Sequence, residues 1–203
     1  MIEKIKLLNI WKNNPFAEFS ISEIMKHSQK ITKTWVFNTL KDFTDKKILI
    51  EKRKANINVY SLNIENPLSF QFLSFLELLE NTQFEHIKII SEIIKKIPIK
   101  CYSLVIFGSY VNNKQTKKSD LDICFLLDEQ KTEKKIIPYV NDIKLSTSIK
   151  IHEHYIAIEE FVKMLLLEEE NLGKQILRNH KLFYNPEIYY QTIKEAFKNG
   201  FRI

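Results

Sequence analysis

A glycine–serine pair and two carboxylates are the residues of this chain best suited to chemistry. Gly108 and Ser109 end a hydrophobic run, and Asp120 and Asp122 follow after a gap of ten residues. Two carboxylates on one side of a strand repel each other unless a cation lies between them, and magnesium accepts oxygen ligands while keeping positions for substrate phosphates. Backbone amides and a hydroxyl at the Gly-Ser turn can donate hydrogen bonds to phosphate oxygens. The set therefore predicts a site for a metal-bound nucleotide.

Two strands must position these residues. The hydrophobic run before the glycine predicts a buried strand that leads into the turn, and residues 121–127 predict the next strand. Because side chains alternate along a strand, Asp120 and Asp122 project from one face and the leucine between them from the other. The loop between the strands contains Lys117 and Lys118, which would add positive charge near a triphosphate.

The Gly-Ser pair, the ten-residue gap and the Asp-x-Asp sequence between hydrophobic strands resemble the signature of the DNA polymerase β-like nucleotidyltransferases, in particular their minimal branch. The resemblance covers about residues 100–185. It implies a short mixed sheet backed by helices, with Asp120 and Asp122 as catalytic residues that hold two Mg²⁺ ions. It also implies a nucleoside triphosphate as substrate, with ATP as the default. The expected nucleotide-binding residues are Gly108, Ser109, Lys117 and Lys118.

Catalytic members of the family usually have a third acidic residue on a following strand, and Glu153 is the candidate here. Strand parity opposes it, because Glu153 shares a face with Ile151 whereas His152 and His154 share the other face. Either Glu153 is the third catalytic carboxylate through a local bulge, or a histidine lies opposite the Asp pair and the metal set is weaker. Histidine can accept a proton near neutral pH, but magnesium prefers oxygen ligands.

The first 65 residues hold most of the basic excess, with 12 Lys and Arg against 7 Asp and Glu in a chain of net charge +6. Apolar residues at helical spacing predict a helix over 2–11. Ser20 and Glu23 have the form of a capping box that begins a second helix, and a third helix is expected from about Thr32. Two short strands joined by a basic hairpin follow, at 47–51 and 58–62. This order resembles a winged helix-turn-helix domain.

In the standard docking of that fold, the third helix enters the major groove and the wing contacts the backbone. The residues that we expect to contact nucleic acid are Lys30, Lys33, Thr34, Asn38 and Lys41 on the helix and Lys52, Arg53 and Lys54 on the wing. Contacts from lysine to phosphate are largely independent of sequence, so the set predicts binding without predicting a target site. The alternative is a domain that serves only dimerisation or protein docking.

The whole sequence predicts an α+β protein in three parts. They are a winged helix-turn-helix domain at 1–65, a helical linker at 66–98 and a nucleotidyltransferase domain with C-terminal helices at 99–203. The linker is apolar at spacings of three or four, which suits both packing within the monomer and a homodimer. Further helices are expected at 133–143, 159–179 and 186–199, and a third strand at 148–157.

The composition favours a cytoplasmic protein without membrane contact. A hydrophobic share of 44% is ample for cores, and the sequence has neither a run of about 18 apolar residues nor a signal peptide. Two cysteines, Cys101 and Cys124, give no support for a disulfide framework or a zinc site.

We therefore expect an Mg-dependent transfer of a nucleoside monophosphate to an RNA end, a protein or a small molecule. Small members of the family often act beside a partner protein in toxin and antitoxin pairs, so the resemblance also implies a partner protein or toxin. The competing interpretation is a DNA-binding transcriptional regulator whose nucleotidyltransferase domain senses a nucleotide and is catalytically weak.

Overall fold

The computed structural model describes residues 2–28, 32–112, 114–116 and 119–202. The chain divides into two compact units, one reaching to Leu76 and the other running from Glu77 to Arg202. This division lies inside the segment 66–98, which the sequence predicts as a helical linker. The boundaries at 65 and 98 stay predictions.

The first unit begins with helices whose starts are encoded locally. Its elements are α1 (Ile2–Lys6), which continues as a 3₁₀ helix over Leu7–Trp11, then β1 (Glu18–Ser20), α2 (Ile21–His27), α3 (Lys33–Asp45), β2 (Leu49–Lys54) and β3 (Ile57–Leu62). The predicted capping box is confirmed. The Glu23 amide donates to Ser20 Oγ at 3.3 Å, and the Ser20 amide donates to Glu23 Oε2 at 2.7 Å. Thr32 caps α3, where the sequence places the start of that helix.

The three strands of this unit form an antiparallel sheet in the order β1-β3-β2. The hairpin is longer than predicted, because Ala55 adopts a left-handed φ of 50° and allows pairing as far as Lys54 and Ile57. The sequence does not predict β1, since three residues are too few to show an alternating pattern. The helix α4 (Pro67–Asn81) follows and contains the division between the units.

The second unit is built on a mixed sheet in the order β6-β5-β4-β7. Its elements are α5 (Ile87–Lys96), β4 (Tyr102–Phe107), β5 (Leu121–Leu127), α6 (Glu133–Ser146), β6 (Ile151–Ala157), α7 (Ile158–Leu166), α8 (Leu172–Arg178), β7 (His180–Tyr184) and α9 (Pro186–Lys198). Strand β4 is antiparallel to both β5 and β7, and β5 is parallel to β6. An α+β architecture with a small mixed sheet and helices is thus confirmed.

The central strands of this sheet are apolar at nearly every position, as expected for strands covered on both faces. All of β4 is buried, and β5 is buried except at Asp122. One face packs against Ile90 and Ile93 of α5 and against Val140 of α6. The segment 87–97, predicted as part of a linker, therefore contributes to the core of the second unit. Within the described ranges, every helix is too short or too polar to cross a membrane.

One local prediction in this unit is wrong, and one strand was not predicted. The single helix expected over 159–179 is two helices, because the Asn171 side chain accepts a hydrogen bond from the Lys174 amide at 3.1 Å and begins α8 anew. The sequence predicts no element for the residues of strand β7, His180–Tyr184. The strand forms because it can pair with the free edge of β4, a partner that lies about 75 residues earlier in the chain.

Candidate functional site

The turn after β4 lies directly against the start of β5. The antiparallel register pairs Phe107 with Asp122, so Gly108 meets the carboxylate across the strands. Gly108 has a φ of 75°, and a Cβ built there would overlap Asp122 Oδ2 and lie 3.3 Å from its Cγ. Only glycine combines that backbone conformation with the close approach. The two motifs that the sequence connects by spacing are therefore in van der Waals contact.

Backbone hydrogen bonds shape the turn that Gly108, Ser109 and Tyr110 form. The amide of Val111 donates to the Gly108 carbonyl at 3.3 Å, and the amide of Lys114 donates to the Ser109 carbonyl at 3.0 Å. From the other side, Asn179 Nδ2 donates to the Gly108 carbonyl at 3.3 Å. Lys117 and Lys118 lie outside the described residues, so their predicted contact with the nucleotide stays a prediction.

Strand β6 brings two histidines to Asp122. The parallel register sets His152 beside Asp122 and His154 beside Cys124. The pairing continues without a register shift from Leu121 to Leu127. His152 Nδ1 lies 3.3 Å from Asp122 Oδ1, and the two imidazole rings are 4.4 Å apart between centroids. One ligand atom from each of Asp122, His152 and His154 lies within 4.8 Å of the other two. We call these three residues the Asp-His-His cluster.

The prediction that Glu153 is the third catalytic carboxylate is not supported by its position. Glu153 lies on the opposite face of β6, because the register contains no bulge that would turn it towards Asp122. There it pairs with Lys144 of α6, whose Nζ lies 2.7 and 2.9 Å from the two carboxylate oxygens. The structure therefore places histidines, and not a carboxylate, beside Asp122.

The structure does not bring Asp120 into the Asp-His-His cluster. Asp120 is exposed just before β5, and it lines a neighbouring cavity of 410 Å³ that also contains His152. It is still close enough to act on Asp122 through its negative charge. Of the two carboxylates predicted to bind metal, Asp122 belongs to the cluster and Asp120 does not.

Burial shapes the electrostatics of the cluster. The pKa of Asp122 is raised, first by burial, and the hydrogen bond and charge of His152 oppose this shift. The pKa of His154 is lowered, first by burial and then by the charge of His152, against the attraction of Asp122. The lowered pKa favours the neutral imidazole, which is the form that can bind a metal ion or accept a proton.

The cluster opens into a cavity of 520 Å³, a size that suits a small-molecule ligand. Its lining residues are Phe107, Gly108, Asp122, His152, His154, Leu172, Gln175, Arg178 and Asn179. The sequence did not suggest the residues from α8. Arg178 brings a permanent positive charge to the lining and forms an ion pair with Glu170. The signal that could have found α8 is Asn171, a residue type that often begins a helix.

The residues predicted to contact nucleic acid are placed as follows. Lys33, Thr34, Asn38 and Lys41 are exposed on α3, and Lys52, Arg53 and Lys54 are exposed on β2. Lys30 lies outside the described residues. Glu18 of β1 forms an ion pair with Lys54 and lies 3.9 Å from Lys52 Nζ, so part of the positive charge of the hairpin is balanced. These contacts lower the pKa of Glu18, chiefly through the Lys54 hydrogen bond.

Comparison with known proteins places the site within a known domain. The nucleotidyltransferase domain family matches residues 86–183, which include the Gly-Ser turn, Asp122 and both histidines. A protein of Methanocaldococcus jannaschii named as a protein adenylyltransferase is 28% identical over 89 residues, which is 44% of this chain. The chain spans 60% of the length of that relative. No solved structure matches the chain. The part of the chain that is similar to nucleotidyltransferase domains is therefore residues 86–183, a little under half of its length.

Proposed function

We propose that this protein transfers a nucleoside monophosphate from a nucleoside triphosphate to an acceptor hydroxyl, as a polymerase β-like nucleotidyltransferase does. The acceptor oxygen forms a bond to the α-phosphorus, and the bond from that phosphorus to the oxygen that bridges to the β-phosphate breaks. Pyrophosphate leaves, and the hydroxyl proton passes to a base or to water. The observation that carries the proposal is the contact of Gly108 with Asp122 at the cavity of 520 Å³.

The residues of the cavity have distinct parts in this proposal. The Gly108 turn leaves room for phosphate oxygens to approach the backbone. Arg178 offers a planar set of donors that fits a phosphate and balances its charge. The metal ions implied by the resemblance would lie at Asp122. However, the Asp-His-His cluster offers one carboxylate and two imidazoles, and magnesium prefers oxygen ligands. The donor set therefore does not fit magnesium well.

A protein hydroxyl is the acceptor that we favour, with ATP as the donor. The relative from Methanocaldococcus jannaschii is named as a protein adenylyltransferase, and its matched segment covers 44% of this chain. A partner protein, such as a toxin encoded with this chain, would then be the substrate. An RNA end and a small molecule remain as other acceptors to be included in the assay.

We also propose that the first unit is a winged helix-turn-helix domain that contacts nucleic acid. The order α1, β1, α2, α3, β2, β3 and the sheet order β1-β3-β2 support it. So does the exposure of Lys33, Asn38 and Lys41 along α3, the helix that would enter the major groove.

The second candidate function is a DNA-binding regulator that senses a nucleotide with little or no turnover. One observation favours it. Glu153 faces away from Asp122. Among the residues that the structure describes, the cluster therefore has no third carboxylate of the kind that the resemblance implies for catalytic members.

Label transfer separates the two functions. The full chain is incubated with α-labelled ATP, divalent metal ions and cell lysate or total RNA, and transfer to protein and RNA is measured. We expect transfer by the wild type and its loss in Asp122→Ala. Asp142→Ala removes an exposed carboxylate of α6 and is the matched control. Nucleotide binding without transfer to any acceptor would refute the transferase and support the regulator.

A further inference from the structure

The donor atoms of the Asp-His-His cluster are arranged as ligands of a single ion. His152 Nδ1 and Asp122 Oδ1 are 3.3 Å apart, and all three ligand atoms lie within 4.8 Å of one another. Metal bonds to nitrogen and oxygen of about 2.0–2.2 Å place two ligands of one ion roughly 3–4 Å apart. Small side-chain rotations therefore suffice to bring the three atoms onto one ion.

The chemistry of these donors selects against magnesium. Imidazole nitrogen suits zinc, copper, iron and nickel, whereas magnesium takes carboxylate, carbonyl and water oxygens. Two other carboxylates near the cluster do not supply the oxygen ligands that magnesium would need. Glu153 is held by Lys144 on the far face of the strand, and Asp120 is exposed outside the cluster.

The backbone keeps this arrangement in place. His152 and His154 alternate onto the same face of β6, and the parallel pairing with β5 sets them beside Asp122 and Cys124. Three protein ligands from adjacent strands fill one side of an ion and leave further positions open, as in other sites with two histidines and one carboxylate. In this protein the open positions would face the cavity that also contains Arg178.

We propose that Asp122, His152 and His154 bind one divalent first-row transition-metal ion, such as cobalt or zinc, in preference to magnesium. The inference deepens the proposed function, since it concerns the ion at the same site, and it rests on that function only for the role of the ion. The open positions would take phosphate oxygens of the nucleotide.

The test uses the untagged full chain, freed of metal with a chelator and titrated with Co²⁺ in the absence of nucleotide. Visible absorption reports coordination by nitrogen ligands, and calorimetry gives stoichiometry and affinity. We expect one equivalent of Co²⁺ to bind, and excess Mg²⁺ not to displace it. His152→Ala and His154→Ala should each weaken Co²⁺ binding at least about tenfold, since even outer-shell changes reach that size. His27→Ala, an exposed histidine of α2, is the matched control.

A variant that should change the metal preference keeps the test decisive if the alanine variants misfold. His154→Asp supplies an oxygen ligand, so it should weaken Co²⁺ and strengthen Mg²⁺ binding. Co²⁺ binding that is unaffected by either alanine variant, or equal affinity for Mg²⁺ in the wild type, would overturn the inference. Label transfer is read separately. Co²⁺ binding through the histidines without transfer would refute only the transferase. Mg²⁺-supported transfer together with Co²⁺ binding that neither alanine variant weakens would refute only this inference.

Discussion

Replacing Gly108 with alanine tests whether the Gly-Ser turn and Asp122 form one site. The substitution adds a single methyl group at a backbone φ of 75°, where that group overlaps Asp122 Oδ2. The carboxylate must then rotate away from the turn, or the turn must open. The first response moves Asp122 relative to His152, whose Nδ1 lies 3.3 Å from Asp122 Oδ1. The second response moves the turn away from Asp122.

The expected loss of stability has two parts. A non-glycine residue in the left-handed region costs about 1–2 kcal/mol, and forcing an extra methyl group into a packed site costs about 1–3 kcal/mol. The free energy of unfolding should therefore fall by about 2–5 kcal/mol in Gly108→Ala. In an Asp122→Ala background the overlapping oxygen is gone, and the added methyl group would lie 3.6 Å from Cβ of residue 122. There only the backbone part, about 1–2 kcal/mol, should remain.

Urea unfolding of the four proteins in this double-mutant cycle measures the coupling. Far-UV circular dichroism follows the whole chain, while tryptophan fluorescence reports the first unit, because Trp11 and Trp35 both lie there. The loss should appear in the dichroism. Gly200→Ala is the matched control, since Gly200 has a φ of 105° and no atom within 4 Å of a built Cβ.

The coupling energy decides the interpretation. We expect Gly108→Ala to cost about 1–3 kcal/mol less in the Asp122→Ala background than in the wild type. We also expect label transfer to be lost in Gly108→Ala and retained in Gly200→Ala. Equal costs of Gly108→Ala in both backgrounds would refute the close contact between the turn and Asp122.

Three further substitutions test individual side chains. Glu153→Gln should change label transfer by no more than about twofold. It should lower the free energy of unfolding by no more than about 1 kcal/mol, because Glu153 makes a partly exposed ion pair. Loss of transfer would show that Glu153 is a catalytic residue. Arg178→Ala should raise the Kd for ATP about tenfold in calorimetry, since a charged hydrogen bond to phosphate contributes about 1.5 kcal/mol, and Arg202→Ala should not. Glu18→Gln should tighten binding to duplex DNA at low salt and steepen its salt dependence, because it frees Lys54 and Lys52; unchanged binding would place the contact elsewhere.

The contact of Gly108 with Asp122 could be predicted because it is local. Two buried strands that follow each other in the chain, joined by residues 108–120, pair as neighbours, and their register sets Phe107 opposite Asp122. The starts of α2 and α3 were predictable for a similar reason, since Ser20 and Thr32 cap their own helices.

The rest of the site depends on segments that are distant in sequence. Parity showed which residues of β6 share a face, but not which face meets the cavity. That choice depends on Lys144 of α6 and on the core that α5 and α6 form with the sheet. Arg178 lies at the cavity because α8 places it there. Glu18 on β1 forms an ion pair with Lys54 on β2, across the strand β3 that lies between them. No spacing rule connects those pairs.

The position of the division inside α4 limits how this protein can be cut into modules. A fragment that stops at residue 65 would lack Phe70 and Leu73, which are fully buried. It would also lack Ser69, whose hydroxyl donates to the Ile48 carbonyl at 3.3 Å. The polar stretch 63–67 is therefore a poor point for exchanging the first unit with that of another protein. A transplanted first unit should carry α4 at least as far as Leu76.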